Sequence, residues 1–154
     1  MRSEKMSNAE AAAIGCNMAF APVCDIAYNW QNTEIITRAF GNDPKRVAKM
    51  SAAYLNGAHE NEGFACAAKH FPGNGQDFRD AHLSNNVNYF DVDEWDATYG
   101  MVYKTLIDNG LDAIMGGHIM MPKYAKAISA GTGMTQRIMM SNTMIDRKSP
   151  TKLI

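Results

Sequence analysis

Three short runs of small and apolar residues, each closing on polar side chains, recur along this 154-residue chain: 18–26 (M-A-F-A-P-V-C-D-I), 64–68 (F-A-C-A-A, followed by Lys69 and His70) and 112–118 (D-A-I-M-G-G-H). They begin about 47 residues apart with helix-like stretches between them, a pattern that requires consecutive βα units, right-handed crossovers and a parallel sheet. Runs this apolar belong to strands covered on both faces. Asp25, then Lys69 and His70, then His118 fall at the C-terminal ends, where (β/α)8 barrels and doubly wound sheets both carry their chemistry. Pro22 predicts that the first strand is irregular or lacks a partner on one side.

The connecting segments carry helix signals. Ser7 with Glu10 three residues on is a capping-box pattern, predicting a short helix from Ser7 to Gly15. Asp43 and Pro44 are an N-cap and a first-turn proline, with Val47, Met50, Tyr54 and Ala58 at helical spacing and Gly63 beyond the end. Asp91 with Glu94 opens a third helix through Trp95, Tyr99, Val102 and Leu106, closed by Gly110. Ser149 and Pro150 read as the start of another helix, and the chain ends four residues later. A lone first turn gains little, so the expectation is a segment of a longer protein.

Composition narrows the function. With 46% hydrophobic residues the chain is sized for one domain or part of one. Its 15 basic and 16 acidic residues leave a net charge of −1 and no basic stripe, so no nucleic-acid partner is expected. No apolar run approaches the about 20 residues that span a bilayer and the N-terminus lacks a signal-like core, so no membrane partner and a cytoplasmic location are expected. Cys16, Cys24 and Cys66 are odd in number and lack CxxC spacing, which predicts buried thiols in a reducing compartment. The 12 methionines follow no period and read as adaptable core filler.

The chemistry concentrates in 65–82, A-C-A-A-K-H-F-P-G-N-G-Q-D-F-R-D-A-H. A lysine donates three hydrogen bonds and a histidine donates or accepts, which suits sugar hydroxyls. A histidine also donates a proton near neutrality when a carboxylate raises its pKa, and Asp80 stands two residues before His82. Each residue has a bland alternative: a D-x-H in a solvated loop, a surface Lys69, a core His70, a surface Arg38. A metal set of His70, His82, His118, Asp80 and Asp77 is a further alternative, against which no two histidines stand at i,i+2 or i,i+4. The glycine turns around 73–86 fit a mobile active-site lid.

Four motifs in order carry a family resemblance. K-H-F-P-G-N-G-x-x-x-x-D-A-H resembles the K-H-F-P-G-H-G-x-x-x-x-D-S-H segment of family 3 glycoside hydrolases, in the branch of the bacterial β-N-acetylglucosaminidases. The F-A-P-V-C-D-I strand, R-A-F-G at 38–41 and I-M-G-G-H-I-M-M-P at 114–122 resemble its F-A-P-V-L-D-I, R-S-F-G and V-M-x-x-H-x-x-x-P segments. The resemblance implies a (β/α)8 barrel of which this chain covers about the third to fifth strands and the lead-in to the sixth. It implies a retaining hydrolase of terminal β-linked N-acetylglucosaminides, or of β-glucosides, without cofactor or metal, whose Asp nucleophile lies on a strand beyond His118. Asp80 and His82 match the acid/base dyad; Arg38, Lys69 and His70 match residues that hold the sugar, and His118 one near the floor of the site. The partner implied is a small-molecule or oligosaccharide substrate, and the exposed edges of a partial barrel imply self-association. A non-catalytic carbohydrate-binding fragment is the remaining alternative. Two departures are Asn74 in place of the family histidine and Leu83-Ser84-Asn85-Asn86 in place of Leu-Pro.

Overall fold

The computed structural model describes residues 2–128, with side chains from Asn8 to Ala127. The elements are α1 (Arg2–Ala13), β1 (Met18–Ala19), α2 (Pro44–His59), β2 (Ala65–Phe71), β3 (Asn86–Val87), α3 (Val92–Trp95), α4 (Met101–Asp108), β4 (Ala113–Gly116), β5 (Ile119–Met120) and α5 (Pro122–Ile128). Strands β1, β2 and β4 form a parallel sheet in that order, and β3 pairs with β5, also in parallel. This is the βαβαβ arrangement that the spacing predicts, with β2 at the centre. The helix start at Ser149 lies outside the described residues.

Local signals account for most boundaries. Asp43 Oδ1 accepts from the Arg46 amide at 2.7 Å, and α2 then buries Val47, Ala48, Ser51, Leu55 and Ala58. Its buried stripe is thus centred one position away from Met50 and Tyr54, which are half-buried. Asp91 and Glu94 form a reciprocal capping box at 2.9 and 3.0 Å. From α3 the helix continues through a π-turn (Asp96–Gly100) into α4 and buries Trp95, Tyr99, Val102, Tyr103 and Leu106.

Four expectations need correction. Helix α1 passes through Ser7 rather than starting there, because the residues before it form helix well enough to extend it. Strand β1 spans two residues, since Pro22 has no amide to donate; the chain still runs beside β2, with Lys69 N donating to Pro22 O and Cys24 N to Lys69 O. Cys16 is exposed just past α1, whereas Cys24 and Cys66 are buried. Finally, β3 arises in a polar stretch with no strand signature, and β4 is shorter than 112–118.

The core between sheet and helices holds Ile26, Leu55, Trp95, Tyr99, Leu106 and Met121, among others. Among the described residues no helix is long and apolar enough to cross a membrane.

Candidate functional site

Strand β2 ends in a bulge. Lys69 pairs with Met115 and Phe71 with Gly116, so His70 is the extra residue, and its peptide bond with Lys69 is cis. A bulge beside a sheet end re-aims one side chain. Here it directs the His70 ring to Asp25, whose Oδ2 lies 2.6 Å from Nδ1. Asp25 is fully buried at the end of the first apolar run, and a buried carboxylate needs donors. Besides the ring it receives the amides of His70 at 3.2 Å and Asn74 at 2.7 Å. With Nδ1 engaged, Nε2 is the remaining nitrogen of the His70 ring.

The loop after β2 is built on two glycines. Gly73 (φ +127°) lies against the Tyr99 ring and Gly75 (φ +110°) against the Ile26 carbonyl, both too close for any side chain. The α3–α4 helix holds this turn from below: Trp95 Nε1 donates to Pro72 O at 2.7 Å and Tyr99 Oη to Asn74 O at 2.6 Å. Asn74 is buried, and its Oδ1 accepts from the Asn32 and Asn86 side chains and from the Gly75 amide. Its Nδ2 donates to Glu34 Oε2 at 3.0 Å.

Further along, Asp77 is buried against Arg79, which donates to it from Nε at 3.0 and 2.9 Å and whose Nη2 forms an ion pair with Oδ2 at 2.6 Å. Burial would raise the Asp77 carboxyl, but the Arg79 side chain, the Arg79 and Val87 amides and the guanidinium charge outweigh it and hold it below the usual carboxylate range. Hydrogen bonds tie this loop at Asn74, Asp77 and Ala81, while Phe78 and Leu83 project into solvent.

The dyad stands at the loop's open side. His82 Nδ1 lies 2.6 Å from Asp80 Oδ1, which also accepts the His82 amide at 2.8 Å. The Asp80 hydrogen bond and charge, with a further contribution from Glu34, raise His82 above the ordinary imidazole range, and Arg38 works against them. Asp80 is correspondingly lowered by the His82 amide and ring. With about three-quarters of its side chain exposed, His82 is accessible to a ligand.

Arg38 donates to Glu34 O at 3.3 Å, and its charge reaches both His82 and Lys69. Lys69 is lowered first by burial and then by Arg38, with Asp25 opposing. Arg38, Lys69, His70, Asp80 and His82 thus share the C-terminal side of the sheet. His118 follows β4 after Gly117, which packs on His70; it is exposed, and its ring pairs with neither the dyad nor His70.

The five-residue metal set is not assembled. His70 is committed to Asp25 and Asp77 to Arg79. Among the described residues the side-chain atoms that do converge, all within 4.8 Å, are those of Glu34, Asp80 and His82. The sequence reading placed Asp25 at a strand end without giving it a role, and it missed Glu34, which in T-E-I-I-T carries no signal.

Residues 3–143 match the glycosyl hydrolase family 3 N-terminal domain. The chain belongs to that family. It is 45% identical over 130 residues to a β-N-acetylglucosaminidase/β-glucosidase of Cellulomonas fimi, covering 84% of this chain and 23% of that protein. Among solved structures it resembles the β-glucoside phosphorylase BglX bound to 2FGlc (TM-score 0.78, 37% identity, 81% of this chain and 22% of the other). A family 3 β-N-acetylglucosaminidase from Paenibacillus sp. str. FPU-7 is similar too (TM-score 0.74, 30% identity, 79% and 23%). The chain spans less than a quarter of the length of each of these three relatives. Its βα units correspond to part of the family's (β/α)8 barrel.

Proposed function

We propose that this chain supplies the acid/base side and part of the sugar-binding floor of a retaining β-glycosidase acting on terminal non-reducing β-N-acetylglucosaminides. The observation that carries it is the exposed 2.6 Å His82–Asp80 pair, with the Arg38 charge acting on the imidazole. Retention needs a proton donor on the leaving-group side of the sugar and a nucleophile on the other. His82 donates to the leaving oxygen and later takes the proton of the attacking water, while Asp80 orients the ring and favours the imidazolium. Lys69, Arg38 and His70 Nε2 hold hydroxyl groups; His118, which the resemblance puts near the floor of the site, is exposed after β4. The nucleophile belongs to a strand beyond β4.

The test uses this segment within a complete barrel, for example exchanged for the matching segment of the Cellulomonas enzyme. His82→Ala should slow aryl glycosides with poor leaving groups far more than activated ones, because a good leaving group needs little protonation. Asp80→Ala should move the basic limb of the pH profile to lower pH, since the imidazolium loses its strongest partner. Equal losses for good and poor leaving groups, with folding intact, would reduce His82 to a sugar contact.

Transfer to phosphate is a second reading. An imidazole acid/base, unlike a carboxylate, tolerates an incoming anion, Arg38 attracts one, and a similar solved structure is titled a β-glucoside phosphorylase. Glu34 beside the same imidazole opposes an anion there, which is why water ranks first. Release of a sugar 1-phosphate in phosphate buffer, faster than free sugar, would reverse the order.

A further inference from the structure

We infer that Glu34 is a positioning residue for the proton-transfer dyad: its carboxylate fastens the backbone between Asp80 and His82 and stands as a second anion beside the imidazole. The inference rests on the acid/base reading of His82.

Glu34 Oε2 accepts the Ala81 amide at 3.2 Å. Ala81 is the residue between the two dyad members, so the direction of that amide sets where both side chains leave the backbone. Glu34 comes from a fixed place. Its own amide and that of Ile35 donate to Asn32 Oδ1 at 3.1 and 2.7 Å, and Asn32 and Ile35 are buried.

Asn74 completes the arrangement. Three N–H donors converge on its Oδ1, so its amide has one orientation, with Nδ2 left to donate to Glu34. An asparagine here therefore passes the rigidity of the buried turn to the carboxylate. The charged groups facing His82 are Asp80 on its own loop and Glu34 and Arg38 from the preceding one. Two anions against one cation favour the protonated ring, so the acid persists to higher pH than Asp80 alone would allow.

The experiment follows the His82 ring by NMR titration in the 154-residue chain and in its Glu34→Gln variant. Glutamine keeps an acceptor for Ala81 and removes the charge, so the His82 midpoint should move to lower pH while His70 keeps its resonances. Glu34→Asp keeps the charge and loses the reach: it should restore part of the shift and leave the Ala81 amide exchanging faster. Superimposed His82 curves for wild type and Glu34→Gln overturn the inference. Should that variant not fold, the wild-type chain still decides: the Ala81 amide proton should titrate with the Glu34 carboxyl carbon, and an unresponsive amide overturns it as well. None of these readouts involves turnover, so failure of the glycosidase reading and failure of this assignment are distinguishable.

Discussion

His82 and Asp80 stabilise each other in opposite pH directions, and the signs define where the dyad holds. His82 is raised, so its share of stability is present below the ordinary imidazole pKa and is lost as pH rises through the folded value. Asp80 is lowered, so its share is present above the ordinary carboxylate pKa and is lost as pH falls through the folded value. The charged pair therefore spans the interval from the lowered Asp80 value to the raised His82 value, which includes weakly acidic conditions. Asp25 is the opposite case, a carboxylate sealed from solvent. Asp25→Ala strands the His70 and Asn74 amides and the His70 ring, and each buried orphan costs about 1–3 kcal/mol. Urea unfolding should show a loss of several kcal/mol, with Asp25→Asn milder because it keeps an acceptor. Asp80 and His82 were legible because their relation is local, two residues apart. Glu34 was not, because its partners lie 40 and 47 residues away.

At the level of elements, the 72–74 turn depends on the helix packed beneath it. The π-turn between α3 and α4 puts Trp95 and Tyr99 under the 72–74 turn, where each donates to a backbone carbonyl. Tyr99→Phe removes one buried neutral hydrogen bond with little change of shape and should cost about 1 kcal/mol in denaturant unfolding. Gly75→Ala should cost more, about 1–3 kcal/mol, because its methyl meets the Ile26 carbonyl at a φ that alanine resists. It should also broaden the His82 and Ala81 signals, since the loop starts there; unchanged spectra would mean that the loop finds its place without this turn. Caps and apolar spacing made α2, α3 and α4 readable. Strands β1 and β3 were harder, at two residues each: Pro22 interrupts the first, and the second owes its place to β5 across the site.

For the molecule as a whole, the sheet order β1-β2-β4 leaves β1 and β4 with unpaired outer edges among the described residues. A barrel has no edges because its strands close on each other, and a row of free amides and carbonyls is a template for another chain. The 154-residue chain alone should therefore associate, with its sedimentation coefficient rising as concentration increases. Self-pairing through β4 would also bring partner strands to the C-terminal side where Arg38, Lys69 and His82 lie, but it would not supply a nucleophile at the face of the sugar opposite His82. On the reading proposed above the nucleophile lies on a strand beyond β4, and an acid alone cannot form the glycosyl intermediate, so the associated chain should bind substrate without cleaving it. Pairing the chain with the other strands of a family 3 barrel should suppress association and give turnover together, because on that reading the same strands close the edges and carry the nucleophilic carboxylate. Turnover of an aryl N-acetylglucosaminide by the pure monomeric chain would refute this division of labour, and would place the nucleophile within these 154 residues.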